Sequence, residues 1–286
     1  LARKNEIFAA SGNDKKSTAV IPEGIHRQDA MKEFGWEVPV DVAPLPSAGV
    51  IYPTSSSLHG KKMLEIKAMT AREEDIIMSK AYSRLGTTIT ELIRSCLIDK
   101  SIDPNMMLVG DRQALLVAIR ITGYGAEYNC EVDCLHCARR GSSIFDLSAL
   151  EIEPLQVDPT VPGINEFEVL LPITKKKVVL KFLTGRDEED LSIEVERRKK
   201  LLGDSAENPI TTRMQHQIVK IDGVTDRSKI ATFVSNMPAR DSKFLRDFYT
   251  KNEPGIKMKA SYTCSSCGAE SEVNLPMGAS FFWPTD

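Results

Sequence analysis

Two short cysteine pairs constrain this chain more than any other feature: Cys134-Leu135-His136-Cys137, and Cys264-Ser265-Ser266-Cys267 followed by Gly268. A Cys-x-x-Cys turn lets two thiolates converge on one ion, and two such turns fill the four tetrahedral positions of a closed structural zinc site. Over a hundred residues separate the pairs, far more than the loop of a compact zinc ribbon. If all four thiolates share one ion, the intervening chain is an insertion whose ends the metal pins together.

The same cysteines admit other readings. Disulfides belong to oxidising compartments, and no secretory signal is visible. A thioredoxin-like motif needs its cysteines between a strand and a long amphipathic helix, and neither pair has that setting. Two separate sites of lower ligand count also satisfy the spacing, with Cys130 and His136 as competing ligands. In Tyr128-Asn129-Cys130-Glu131-Val132 the apolar residues alternate, which turns Cys130 inward on a strand as a small buried hydrophobe. His136 is expected to point to solvent. The expected set is therefore Cys134, Cys137, Cys264 and Cys267 on one structural zinc, with no open position for water or substrate.

At 286 residues the chain has length for one large or two small domains and an ample core. A formal net charge of -3 gives no electrostatic footprint for nucleic acid. No apolar run reaches the length of a membrane span, and the first residues lack signal-peptide architecture. The expectation is a soluble protein made in a reducing cytoplasm. The sequence starts at Leu1 rather than Met, which leaves room for residues upstream.

Residues 1–42 are sparse in apolar periodicity and read as an extended arm. Phe34, Trp36 and Val38 are its apolar residues, available either to a partner or to the chain's own core. The prolines of Ala43-Pro44-Leu45-Pro46-Ser47-Ala48-Gly49-Val50-Ile51-Tyr52-Pro53 fix an extended approach to the globular part. Alternation over 62–69 predicts a strand, and Thr70 with Glu73 a capping box opening a short helix to Ser79. Ile89, Leu92, Ile93, Cys96 and Leu97 lie at helical spacing, making Cys96 a core thiol. A third helix runs from Asp111 toward Gly123.

Further on, 167–171 and 178–183 read as a hairpin around Lys175-Lys176-Lys177. Three or four helices are expected over 187–249: a charged one ending at Gly203, one over 210–221, one capped by Asp226, and one opened by Pro238. Strands over 256–263 and 270–276 flank the second cysteine pair. The aromatic end Phe281-Phe282-Trp283-Pro284 must pack somewhere.

Catalytic signatures are missing from the sequence: no phosphate-binding glycine loop, nucleophile elbow or His-Glu-x-x-His occurs. Histidines 26, 59, 136 and 216 show no mutual spacing logic, and Asp99, Asp103 and Asp111 read as helix caps. The chain is expected not to be an enzyme.

The order Leu45-Pro46-Ser47-x-Gly49-x-x-Tyr52-Pro53, a strand, Ala71-x-Glu73-Glu74-Asp75, 111–120 with Gly123-Tyr124-Gly125-x-x-Tyr128, Cys134-x-x-Cys137, and Cys264-x-x-Cys267 with Pro276 and Phe281-Phe282-Trp283-Pro284 resembles the baseplate hub protein family of T-even-like contractile-tailed bacteriophages. The resemblance spans about 43–284. It implies a virion protein, made in the host cytoplasm, that docks other baseplate and tail proteins in a multi-copy assembly, at the hub or a wedge–hub junction. It implies no membrane, nucleic-acid or small-molecule partner. A tail-assembly chaperone absent from the virion is the related alternative. A zinc-ribbon nucleic-acid binder is the unrelated one, with Arg139-Arg140 its single hint. The expected fold is α+β: a zinc-ribbon-like β element stapling a mixed core, with a helical insertion and the arm. Its segments are 1–42, 43–165 with the first knuckle, 166–255 with the insertion, and 256–286 with the second knuckle and aromatic end.

Overall fold

The computed structural model describes residues 37–202 and 209–282. Phe34, Trp36, Trp283 and Pro284 lie outside the described residues. The chain divides between Val38 and Pro39, and every described strand and helix belongs to the unit from Pro39 onward.

Strand β1 (Val40–Pro44) pairs antiparallel with β2 (Met63–Lys67), Ala43 opposite Leu64, so Ala43, Leu64 and Ile66 turn inward together. β1 thus begins inside the segment that composition alone reads as arm. Helix α1 (Ala71–Met78) starts where Thr70 donates its amide to Glu73 Oε2 at 2.9 Å, the acid reaching back as the capping-box spacing requires. Helices α2 (Lys80–Leu85) and α3 (Thr88–Cys96) follow, and α3 buries Leu92, Ile93 and Cys96.

Helix α4 (Val109–Tyr124) is the centre of the unit, with Ala114, Leu115 and Ile119 fully buried. Its first turn touches the 254–255 backbone: a Cβ on Gly110 would lie 1.7 Å from the Pro254 carbonyl oxygen, so only glycine fits there. Asp111, in that turn, is more than a cap. Its carboxylate is buried and accepts the Ser47 amide at 2.9 Å, the Ser47 hydroxyl at 2.6 Å and the Tyr52 hydroxyl at 2.5 Å. The Tyr52 oxygen accepts in turn the Leu108 amide at 2.9 Å. The proline-rich approach is therefore anchored to the central helix by its own serine and tyrosine. Burial raises the Asp111 carboxyl above its ordinary range, against the lowering effect of these donors.

Next come hairpin β3 (Glu127–Asp133) with β4 (Arg140–Asp146) and short β5 (Ile152–Glu153), which pairs across the fold with β9 (Gly255–Ile256). Between β5 and β9 lies the insertion. β6 (Phe167–Leu170), β7 (Lys177–Leu180) and β8 (Ile218–Ile221) form one antiparallel sheet, flanked by α5 (Gly185–Leu202), α6 (Pro209–Gln217), α7 (Arg227–Ser235) and α8 (Ala239–Asn252). The helix expected over 210–221 stops at Gln217, and Ile218-Val219-Lys220-Ile221 becomes the third strand. Its β-branched residues suit a pleated surface once β7 offers an edge. Phe167, Phe182, Phe248 and Tyr249 knit sheet to helix, Phe167 and Phe182 with centroids 4.7 Å apart. Buried Asp241 of α8 accepts the Ile173 and Thr174 amides at 2.8 and 3.0 Å, fixing the turn after β6.

Hairpin β10 (Lys259–Thr263) with β11 (Glu270–Asn274) brings the chain back to β3 and β4, and α9 (Ala279–Phe282) ends the described residues. The architecture is mixed α/β with small antiparallel sheets. Among the described residues no helix is long and apolar enough to cross a membrane.

Candidate metal centre

Each cysteine pair sits in the turn of a two-stranded hairpin, and the two turns are copies of one conformation. In the first, the Cys134 amide donates to the Arg139 carbonyl at 2.9 Å and the Ala138 amide to the Cys134 carbonyl at 2.9 Å. In the second, Cys264 donates to Ala269 at 3.0 Å and Gly268 to Cys264 at 2.8 Å. Both turns need a residue in the left-handed region, filled by Gly268 at φ 70° and, against the usual preference, by Ala138 at φ 56°.

The hairpins meet face to face. Tyr262 of β10 lies over Gly141 of β4, where a Cβ would stand 2.5 Å from the phenol oxygen. That approach brings all four sulfurs within 4.8 Å of one another. Cys134 Sγ to Cys267 Sγ and Cys137 Sγ to Cys264 Sγ are each 3.7 Å. Four thiolates each ~2.3 Å from a central zinc stand ~3.8 Å apart, so the spacing and the donor type are compatible with one tetrahedral ion.

The turn backbone favours the thiolate form at the first cysteine of each pair. The amides of Cys137 and His136 lower Cys134, and those of Cys267 and Ser266 bring Cys264 down to about 6. Cys267, exposed and with a single amide from Ala269, is instead pushed up to about 11 by the neighbouring sulfurs of Cys137, Cys264 and Cys134. Four thiolates this close repel one another, and a divalent cation is the natural relief.

The structure brings together all four cysteines of the expected set. Cys130 is buried on β3 opposite Ser143, outside the cluster, and burial raises its thiol. His136 is exposed on its turn. Cys96 is buried on α3. Among the described residues no other group of three or more His, Cys, Asp or Glu side chains converges in this way.

Two polar centres escaped the sequence reading. Asp111 read as a cap because Ser47 and Tyr52 approach it from some sixty residues away. Arg120 gave no signal, yet it is buried at the junction of α4, β3 and the chain end. A cleft of about 620 Å³ between α3, α4 and α5 is lined by Arg112, Glu188, Glu189 and Arg213 among apolar residues. Its polar groups engage one another: Arg112 Nη2 donates to Thr90 Oγ1 at 3.0 Å, and Thr90 to Glu189 at 2.8 Å.

Compared with known families, residues 51–283 match the family described as T4 bacteriophage base plate protein. No curated protein and no solved structure matches the chain.

Proposed function

Because this chain belongs to the T4 bacteriophage base plate protein family, we propose that it is a structural, non-catalytic subunit of a contractile tail baseplate. Its place is the hub or the junction of hub and wedge, and its task is to dock neighbouring baseplate and tail proteins during assembly. Cys134, Cys137, Cys264 and Cys267 hold one structural zinc.

The observation that carries this reading is that the chain closes twice around the insertion. Ile152 pairs with Ile256 in the β5–β9 ladder, and the two cysteine turns, one before the insertion in sequence and one after it, converge on each other. An ion on four protein thiolates has no open position for substrate or water, so what it supplies is rigidity. Such a subunit presents surfaces at a fixed angle to its neighbours, where a few buried anchors dominate binding.

The test is mass spectrometry and elemental analysis of purified particles. The expected result is the chain in mature tails, one zinc per copy, and cross-links to hub components. Presence only in assembly intermediates would make it a chaperone instead. Cross-links confined to peripheral wedge proteins would move it away from the hub.

A further inference from the structure

Among the described residues the outward face of hairpin β3–β4 has no element packed on it, and its composition is unusual. Strand alternation turns Tyr128, Cys130, Val132 and Phe145 to the core, and leaves Glu127, Asn129, Glu131 and Asp133 facing out beside Arg140, Ser142, Ile144 and Asp146. Ile144 is 65% exposed in the middle of this face, opposite Asn129. Around it stand four carboxylates and one cation. Arg140 is shared by Asp133 at 3.1 Å and Glu131 at 3.9 Å. Glu127 and Asp146 lie directly opposite each other, and among the described residues neither has a cation within ion-pair distance.

A like-charge pair set directly across two strands destabilises a hairpin. An isoleucine on the solvent face adds nothing to it. Both features make sense as one half of an interface: an apolar anchor ringed by charge that selects the partner and sets its register.

We propose that this face docks a basic polypeptide segment of another protein, an apolar side chain of that segment covering Ile144 and its lysines or arginines meeting Glu127, Asp146, Glu131 and Asp133. The chemistry excludes the other occupants. A second copy of the face would bring carboxylates against carboxylates, and nucleic acid or an anionic bilayer would be repelled. That the partner is a tail protein rests on the baseplate reading; the charge of the segment does not.

A photo-reactive phenylalanine at position 144 of the full-length chain, expressed in infected host cells, tests the proposal. Its companion is the double reversal Glu127→Lys with Glu131→Lys. That variant leaves Asp146 accepting the Ser148 amide at 2.8 Å and hydroxyl at 2.6 Å, sets opposite charges across the strands at 127 and 146, and changes the sign shown to a partner, with folding verified by a thermal unfolding curve. The expected adduct contains a net-basic tail-protein peptide, and the double reversal lowers its yield at least about tenfold. An adduct with a second copy or an acidic segment, or an unchanged yield after reversal, overturns the proposal. A chain recovered in tails with no adduct at 144 also overturns the surface and leaves the baseplate reading standing. A basic adduct partner foreign to the tail does the opposite.

Discussion

Arg120 on α4 donates from Nε to the carbonyl oxygen of Phe281 at 2.7 Å, joining the central helix to the end of the described chain. The same guanidinium gives Nη1 to the Gly125 carbonyl at 2.8 Å and Nη2 to that of Glu127 at 3.0 Å. Its carbon lies 5.2 Å from the centroid of the Tyr124 ring. One buried cation thus closes the end of α4, the start of β3 and the aromatic C-terminal turn, with Phe281 set edge-on to Tyr128 at 5.3 Å. The planar fork is what allows three divergent carbonyls to be satisfied at once.

Arg120→Ala leaves those three carbonyls without a donor. The bond to Phe281 is buried and the other two are part-buried, where water can take over the carbonyl; one buried unsatisfied group costs about 1–3 kcal/mol, and a loss of that size is expected in urea unfolding. Arg120→Lys keeps the charge and loses the fork, and should recover only part of the difference. Equal stability of the lysine variant and the parent would show that charge, not geometry, holds the junction.

Tyr52→Phe removes one donor from Asp111 and the acceptor of the Leu108 amide. Both groups are buried, and the expected destabilisation is about 2 kcal/mol with no change in zinc content. Hydrogen exchange should speed up in 45–52, the segment the tyrosine ties down.

Glu73 sets a pH dependence. Burial pushes its carboxyl up, but hydrogen bonds from Lys67 Nζ at 2.6 Å, Ser95 and Thr70 outweigh that and hold it at about 2, below its ordinary 4.5. A carboxyl depressed in the folded state contributes stability that is complete above about pH 4.5 and lost as pH falls from there toward 2. The contribution is roughly 2–3 kcal/mol. Denaturation midpoints measured from pH 6 to 2.5 should fall more steeply for the parent than for Glu73→Gln, which has no proton to take up.

What could be read in advance was local. The cysteine turns, the alternation that buries Leu64 and Ile66, and the Thr70–Glu73 cap each declare themselves within a few residues. What could not be read depends on distant chain. Ile218-Val219-Lys220-Ile221 continues a helical apolar pattern and becomes a strand only because Val178 and Val179 of β7 supply the ladder. Asp111 and Arg120 look like ordinary helix residues until Ser47 and Phe281 arrive. Of the candidate metal centre, the two cysteine turns were legible because each turn writes its own spacing. The face-to-face packing of Tyr262 on Gly141 that makes one cluster from two turns was not.

Ala138 offers a test of the turn itself. It holds φ 56° where the second turn has Gly268 at 70°. A left-handed alanine costs roughly 1–2 kcal/mol, partly offset because glycine is more flexible when unfolded. Ala138→Gly should therefore stabilise the protein by about 0.5–1 kcal/mol, and Gly268→Ala should destabilise it by a similar amount. Opposite signs at two equivalent positions are the readout; the same sign at both would mean that the turns are not conformational copies.

Removing the metal should loosen one place and spare another. Without an ion the four sulfurs have no mutual attraction, and the two hairpins are left to the Tyr262 contact on Gly141, while the root of the insertion keeps the β5–β9 pairing and the packing of Gly110 on the 254–255 backbone. A two-stranded ribbon is marginal alone, so hydrogen exchange after chelation should accelerate across 127–146 and 255–274. The buried middle of α4 depends on side-chain packing with β1 and β2 and should stay protected. Cys137→Ser should give the same exchange pattern and lower zinc retention against a competing chelator, whereas Cys130→Ser should leave about one zinc per chain. Chelation that changes neither hairpin would mean the cysteines pack as a thiol cluster and the insertion is held at its root without help from an ion. Loss of α4 protection along with the hairpins would mean that the ion supports the whole core.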